Sequence, residues 1–290
     1  MNKEQIEKDN YLDILFKTFK EAIDFFEAHN LRWFTAFGTC LGTIRHRGII
    51  PWDDDIDLLM PRKDYKELER LFNKESKKCY FVSLKDRNYP FAYGKICDKN
   101  STIIESKKSP MAFGVYIDIF PYDEYDLDEE KVIDLKLKAE QANIFYERSQ
   151  NRITFKLLLD NLTKWKWHTL ISNLRDLLWY RLRAGYYRRQ MNSIESLSVD
   201  HGIYVALLTG RSRKRYVYKS TWFDSYLKLP YEDMTVRVPV GYDEYLKAIY
   251  GDYMKLPPEK ERKTKHHRFY ENYHKGLSFK EALKDASISL

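Results

Sequence analysis

The order of apolar and polar positions along the chain predicts helices alternating with strands. Between residues 4 and 29, apolar side chains recur at helical spacing, from Ile6 through Leu15 and Phe19 to Phe26, which predicts an amphipathic helix that covers a sheet. The next predicted elements are strands over 32–36 and 55–60, a helix over 64–73, strands near 79–84 and 91–104, and a strand over 115–120 that ends at Pro121. This order predicts an α+β fold with a mixed sheet flanked by helices.

The pattern changes in the second half of the chain. Long helical segments are predicted from about 128 to 197, followed by strands over 216–218 and 235–240 and a helix over 243–250 that stops at Gly251. We therefore divide the chain into a catalytic core (1–127), a helical insertion or subdomain (128–197) and a C-terminal α+β part that completes the catalytic domain (198–290). A basic run follows at 260–268.

One stretch of the helical part, residues 164–189, combines Trp, Leu and basic side chains. Trp165, Trp167 and Trp179 lie near four arginines in sequence, the composition of helices that rest on a membrane surface. The alternative is that these apolar residues pack on the protein's own core while the arginines are solvated. A hydrophobic stripe at helical spacing is compatible with both.

Composition restricts the class of partner and the compartment. The 290 residues include 50 Lys and Arg against 43 Asp and Glu, a net charge of +7 that favours an anionic glycan or membrane surface without requiring nucleic acid, and we expect no nucleic-acid partner. Cys40, Cys79 and Cys97 show no C-x-x-C spacing, so we expect neither a disulfide framework nor a zinc site. The N-terminus lacks the apolar stretch of a signal peptide, and no run of about 18 apolar residues occurs. We therefore expect a cytoplasmic protein, with peripheral contact at the inner face of the membrane as a further possibility.

The strongest chemical signal is four carboxylates within five positions, Asp53, Asp54, Asp55 and Asp57. Like charges this close repel one another unless a cation neutralises them. The alternation around Ile56 places Asp55 and Asp57 on one face of a strand, where their oxygens suit Mg²⁺ or Mn²⁺. The alternative is a solvated acidic loop.

A fifth carboxylate, Asp118, lies within the apolar strand 115–120. An ionised carboxylate in apolar surroundings is costly unless it is ion-paired, hydrogen-bonded or bound to a metal. The residues by themselves leave a structural ion pair and a metal ligand both open.

Candidate phosphate-binding groups precede and follow the acidic cluster. Gly38, Thr39 and Gly42 form a predicted turn between a strand and a short helix, where backbone N–H groups can meet phosphate, although such spacing is also typical of close packing. Arg45 and His46 follow, either to bind phosphate and balance charge or as a solvated basic face, and His46 is also a weaker candidate acid or base.

Lys95 and Trp52 are two further candidates, each with either a binding role or a structural one. Lys95 alternates onto a strand face, as a phosphate-binding group or as an ordinary edge-strand lysine. Trp52 is adjacent to the carboxylates, either to hold a substrate cation or to anchor the core.

These residues carry a family resemblance. FGTCLGTIRHRGIIPWDDDID at 37–57 resembles the signature of the LicD family, and the similarity continues through YGKICDKNSTIIE at 93–105 and GVYIDIFPYD at 114–123 and returns in YGDYMKLPP at 250–258. Members of this family resemble polymerase-beta-type nucleotidyltransferases and transfer phosphocholine or a related phospho-group from a CDP-linked donor to cell-surface glycans. The resemblance implies three acidic metal ligands, at Asp55, Asp57 and Asp118, a Gly-Thr contact with donor phosphate, and a phosphate-binding role for Lys95.

The resulting expectation is a LicD-type phosphotransferase. It would use CDP-choline or a related CDP-alcohol and Mg²⁺ (or Mn²⁺) to modify a hydroxyl of a glycan or of its lipid-linked precursor, releasing CMP. Two alternatives stay open: a nucleotidyltransferase that releases pyrophosphate, and a basic glycan- or membrane-binding protein without enzymatic activity.

Overall fold

A computed structural model describes residues 3–209, 216–264 and 268–286 of the chain, with side chains from Asp9 onward. Lys265, His266 and His267 of the predicted basic run lie outside the described residues. Within the described part, helices and strands alternate through the first 125 residues and again after residue 204, with a helical stretch between them. The predicted α+β class with a mixed sheet is confirmed.

The central sheet is built around one long strand, β6. Its strands run in the spatial order β1, β2, β6, β4, β3, and β7 and β8 extend the far end of β6. The pairing is antiparallel except for β2 and β6, which run parallel. The strand bounds are β1 Phe34–Thr35, β2 Asp57–Pro61, β3 Cys79–Val82, β4 Gly94–Asp98, β5 Thr102–Ile104, β6 Tyr116–Tyr125, β7 Tyr204–Ala206, β8 Val217–Lys219, β9 Tyr226–Tyr231, β10 Met234–Pro239 and β11 Tyr270–Asn272.

Helices cover the sheet and form the middle of the chain. Buried side chains of the first helix, such as Leu15, Phe19 and Phe26, belong to the main core, as the helical spacing predicted. The helix bounds are α1 Lys3–Ala28, α2 Phe37–His46, α3 Arg62–Glu75, α4 Glu129–Gln150, α5 Phe155–Thr163, α6 Trp167–Arg175, α7 Ala184–Glu195, α8 Tyr242–Tyr250 and α9 Phe279–Asp285. A π-helical turn at Asp176–Tyr180 and a short 3₁₀ turn at Arg181–Arg183 join α6 to α7.

The prediction that the Asp118 strand ends at Pro121 is wrong, because β6 continues to Tyr125. The backbone N–H of Asp118 donates to Ile56 O on the β2 side, so by alternation the amide position of Pro121 faces the opposite neighbour. On that side β4 pairs only as far as Ile119 and β7 begins at Asp123. The missing donor of proline therefore falls where no ladder bond is required.

Three other predicted boundaries are corrected. The glycines of the predicted turn lie inside α2, which begins at Phe37 directly after the two-residue strand β1. The single strand expected over 91–104 is two strands, of which β4 pairs within the central sheet and β5 pairs with β11. The strand expected to include Asp55 begins at Asp57, and Asp55 lies in the extended segment that leads into it.

The helical stretch from α4 to α7 agrees with the predicted helical part, while the division into domains stays a prediction. Small separate cores hold it to the sheet, one around Tyr125 and Val132 and another around Tyr146 and Tyr187. In the part of the chain that the structure describes, no helix is both long and apolar enough to cross a membrane.

Candidate active site

The acidic cluster alternates between the core and an open face of the sheet. Asp54 and Ile56 are buried, whereas Asp53, Asp55 and Asp57 are only half-buried. A period of two therefore sorts the four carboxylates into three on one side and one on the other, as predicted for Asp55 and Asp57.

Asp54 does not share the face of the other three carboxylates, because it contacts Arg268 and Tyr11 instead. Its carboxylate accepts a hydrogen bond from Arg268 Nη2 at 2.9 Å, and its backbone carbonyl accepts one from the hydroxyl of Tyr11 at 2.8 Å. The guanidinium of Arg268 also lies over the ring of Tyr11, 3.9 Å from its centroid. This ion pair joins residues 214 positions apart, so no local signal in the sequence could have revealed it.

The parallel register of β2 and β6 brings two of the predicted catalytic carboxylates together. Asp57 stands directly opposite Asp118, and side chains of directly paired residues point to the same face. The main-chain N–H of Asp57 donates to the hydroxyl of Thr39 at 2.9 Å, which ties the start of β2 to α2.

Lys95 lies beside Asp118 on the side away from Asp57. On β4 it stands opposite Asp118, and its ammonium donates to Asp118 Oδ1 at 2.7 Å and lies 3.4 Å from Glu105. Burial lowers the pKa of Lys95, but the attraction of Asp118 and Glu105 outweighs it and the net pKa is raised. The interpretation of Lys95 as an edge-strand lysine is wrong, since β4 lies between β3 and β6 and the side chain is 1% exposed.

The environment of Asp57 favours a bound cation. Burial raises the pKa of its carboxyl well above the ordinary value, and repulsion from Asp55, Asp118 and Asp53 raises it further, with Lys95 opposing. A site that disfavours its own negative charge gains most from a positive ion.

The donor set also fits a hard divalent cation, because the groups on this face offer carboxylate oxygens. Among the described residues, however, no three acidic, His or Cys side chains are already placed to hold a metal ion. The ion pair between Lys95 and Asp118 that the sequence left open is present. Metal ligation by Asp55, Asp57 and Asp118 stays a prediction.

Helix α2 approaches its neighbours closely at its two glycines. A Cβ at Gly38 would lie 2.5 Å from Asp53 Oδ2 and would displace that carboxylate, and one at Gly42 would lie 2.5 Å from Gly48 O and would displace the chain. Thr39 is buried and Cys40 is a buried free thiol. Burial raises the pKa of Cys40 to about 12, which agrees with a packing role rather than a nucleophilic one.

The basic residues after α2 contact other parts of the fold. Arg45 Nη1 donates to Tyr253 O at 2.7 Å, inside the C-terminal segment that resembles the family. Burial, aided by the charge of Arg45, lowers the pKa of His46, so His46 is neutral at pH 7. The ring of His46 lies edge-on to Trp52, which is half-buried and has the guanidinium of Arg262 on its ring at 5.5 Å.

Aromatic side chains that the sequence could not single out line the same face as the carboxylates. Phe120 lies two residues beyond Asp118 on β6, and the ring of Tyr93 packs on it at 4.5 Å between centroids. Phe37, at the start of α2, packs edge-on against both Phe120 and Tyr216, at 5.4 and 5.2 Å. All four rings are half-buried. We call Phe37, Tyr93, Phe120 and Tyr216 the aromatic cluster.

Sequence comparisons identify the family of this chain. Residues 30–158 match the model of a family described as LicD/FKTN/FKRP, nucleotidyltransferase domain. The chain is 30% identical over 261 residues to the lipopolysaccharide cholinephosphotransferase LicD of Haemophilus influenzae, covering 84% of this chain and 91% of that protein. This chain belongs to the LicD family. An uncharacterized protein of Rickettsia prowazekii is also 30% identical over 114 residues, 38% of this chain and 40% of that protein.

As a LicD family member, the protein is a phosphotransferase of the LicD type, so the non-enzymatic alternative is not retained. The family match covers every site residue predicted from the sequence, from Gly38 to Asp118. It does not reach Tyr216 or Arg268, which the fold brings to the aromatic cluster and to Asp54.

Proposed function

We propose that this LicD family protein transfers phosphocholine from a CDP-linked donor to a hydroxyl of a cell-surface glycan or of its lipid-linked precursor, releasing CMP. The observation that carries the proposal is the placement of Asp57 and Asp118 opposite one another, beside a half-buried aromatic cluster on one face of the sheet. The Haemophilus influenzae relative, named as a lipopolysaccharide cholinephosphotransferase, supports the same class of donor and acceptor.

In the proposed reaction the acceptor oxygen forms a bond to the phosphorus of phosphocholine while the bond from that phosphorus to the CMP oxygen breaks. Asp118 lies within reach of the acceptor hydroxyl and takes its proton, while Lys95 holds this carboxylate in position through its 2.7 Å hydrogen bond. A divalent cation held by Asp55, Asp57 and Asp118 would neutralise charge on the donor phosphates. Phosphate oxygens lie against the start of α2 at Gly38, because the first N–H groups of a helix have no acceptor within the helix.

The aromatic cluster gives a reason to prefer choline among donor head groups. A quaternary ammonium makes no hydrogen bonds of its own and is bound by the faces of aromatic rings. The aromatic cluster lies beside Asp118, and Lys95 already places an ammonium 5.3 Å from the centroid of the Tyr93 ring. The carboxylate of Glu147 on α4 is close enough to raise the pKa of Tyr93, after burial, Asp118 and Glu105, and adds negative charge near these rings.

We also infer that the sheet is of the polymerase-beta nucleotidyltransferase type. The supporting features are the carboxylates on adjoining strands β2 and β6 and the glycine-containing helix α2 packed beside them. The description of the matching family names the same kind of domain.

The test is incubation of the purified protein with Mg²⁺, a glycan acceptor and a panel of CDP-alcohols, with CMP and pyrophosphate both measured. CMP release that is greatest with CDP-choline is the expected result. Release of pyrophosphate from a nucleoside triphosphate, with nucleotide attached to a small molecule, would instead establish the nucleotidyltransferase alternative. Omission of the divalent cation tests the metal requirement in the same assay.

A further inference from the structure

A cavity of about 670 Å³ lies between α5, α9 and the loop that follows β5, and none of the site residues above lines it. Lys107, Arg152 and Lys156 contribute basic side chains to its wall, and Leu157, Phe269 and Leu283 contribute apolar ones. We refer to this space as the α5–α9 cavity.

The cavity carries excess positive charge. Its acidic residue in the described chain, Asp160, is ion-paired with Lys164 at 2.5 Å. The cations of Lys107 and Arg152 lie over the rings of Phe269 and Phe279, each at 5.6 Å. In the residues that the structure describes, neither has a carboxylate within ion-pair distance. Such a wall is complementary to an anion.

The apolar part of the wall continues onto an exposed surface. Leu159 belongs to the cavity and is exposed, and on the same helix Phe155 is 75% exposed and Leu162 is exposed as well. A ligand that fits both halves has a phosphate at one end and hydrocarbon at the other.

The chain that lines the cavity leads toward the catalytic site through Glu105. Lys107 follows two residues after Glu105, which accepts a hydrogen bond from the hydroxyl of Tyr116 at 2.8 Å and lies 3.4 Å from Lys95. Two residues of extended chain span at most about 7 Å. A molecule bound beside Lys107 therefore lies near the residue that contacts Lys95, the ion-pair partner of Asp118.

We propose that the α5–α9 cavity binds the phosphate and hydrocarbon of a phosphorylated amphiphile and thereby holds the lipid-linked end of the acceptor. Lys107, Arg152 and Lys156 contact the phosphate, and Leu157, Leu159 and Leu283 contact the hydrocarbon. The assignment to the acceptor rests on the proposed function, whereas the binding site itself does not.

The test is calorimetric binding of dihexanoyl phosphatidic acid to the full chain without donor. Binding should be at least about tenfold tighter than that of dihexanoylglycerol, which has the same hydrocarbon without the anion, because hydrogen bonds to a charged group are stronger than those to a neutral one. Inorganic phosphate should also bind at least about tenfold more weakly. Equal affinity for phosphatidic acid and either control would overturn the proposal.

Variants locate the binding. Lys107→Gln and Arg152→Gln should each weaken phosphatidic acid binding about tenfold, whereas Lys131→Gln, which removes an exposed charge on α4 outside the cavity, should not. Leu159→Ser should weaken phosphatidic acid binding and leave the weak phosphate binding unchanged. Unchanged affinity in both basic variants would assign the binding to another surface.

A competition experiment separates this proposal from the proposed function. Phosphatidic acid and CDP-choline should bind together, each leaving the dissociation constant of the other unchanged. Mutual displacement would place the amphiphile in the donor site and overturn the assignment to the acceptor. Absence of CMP release would contradict the proposed function without altering any of these binding measurements.

Discussion

The catalytic face of the sheet buries charged side chains, whereas the helical segment from α4 to α7 exposes large apolar ones. On the sheet, charged groups are buried: Lys95 is 1% and Asp118 is 9% exposed, and each contacts the other. On the helical segment, large apolar groups are exposed, among them Trp165 at 77% and Leu182 at 81%. Both are departures from the usual distribution, and a departure of this kind indicates function.

The physical reason differs between the two regions. A buried charge persists because a partner of opposite charge or a ligand compensates its desolvation. Exposed apolar side chains have no compensation within the chain and gain free energy only when something covers them. The exposure of Trp165, Trp167 and Trp179 removes the alternative that these residues form the protein's own core. Membrane contact by this segment stays a proposal.

The largest effect is expected at the catalytic carboxylates. Asp55→Asn and, separately, Asp57→Asn keep the side-chain shape and lose the charge, so CMP release should fall by at least ~10²-fold. Asp54→Asn is the matched control, since this carboxylate pairs with Arg268, and it should lower thermal stability while leaving most of the activity. Turnover at the wild-type level in either Asp55 or Asp57 variant would end the metal-site proposal.

Asp57→Asn, which should lower activity, should raise thermal stability when no metal ion is present. Because the pKa of Asp57 is raised on folding, the folded state binds its proton more tightly, and wild-type stability falls as pH rises from the ordinary value of 3.8 to the raised one. In chelator at pH 7, Asp57→Asn should therefore melt higher, by about 2–4 °C for each kcal/mol of repulsion removed. Below pH 3.8 the two proteins should melt together. A variant that melts lower than wild type at pH 7 would show that the carboxylate is stabilised rather than strained.

A smaller effect is expected at the aromatic cluster. Phe120→Leu keeps an apolar side chain and removes a ring, so KM for CDP-choline should rise roughly 2- to 30-fold, the range that corresponds to about 0.5–2 kcal/mol of cation–π attraction. The matched control is CDP-glycerol, for which KM should change little in the same variant. An equal rise for both donors would mean that Phe120 shapes the site without recognising the ammonium.

The smallest effect on stability is expected on the helical segment. Trp165→Ser should leave the free energy of unfolding within about 0.5 kcal/mol of wild type, because Trp165 is 77% exposed. Binding to anionic vesicles should nevertheless weaken, as it should in Arg188→Gln with Arg189→Gln, at about 1 kcal/mol for each basic residue near the surface.

Salt and lipid charge serve as controls for that measurement. Vesicle binding should decrease as salt rises and should be weaker with neutral lipid, because the attraction is screened over about 8–10 Å at physiological ionic strength. CMP release with a soluble acceptor should be unaffected by the arginine substitutions. A wild-type protein that ignores anionic vesicles at low salt would contradict membrane contact by this surface.

Long helices with an apolar repeat were predicted well and strands unevenly: β8 lies within one residue of its predicted bounds, whereas the six-residue β9 was missed. Helices α1, α3 and α8 lie within a few residues of their predicted bounds, because each is long enough for the apolar period to be read. Strands β7 and β11, three residues each, went unpredicted. A strand this short has no period of its own and exists because β6 or β5 offers it an open edge.

The sequence by itself determined the chemistry of this protein: its family, the alternation that separates Asp55 and Asp57 from Ile56, and the presence of Asp118 in an apolar strand. These follow from residue identity and short spacing, which act within a few positions. Only the tertiary structure decided that Asp57 lies opposite Asp118 and that Asp118 is ion-paired with Lys95. It also decided that Asp54 is ion-paired with Arg268 and that four aromatic rings from distant segments lie on the same face. Each of these depends on strand register or on contacts between remote segments, which many sequences of the same local pattern would arrange differently.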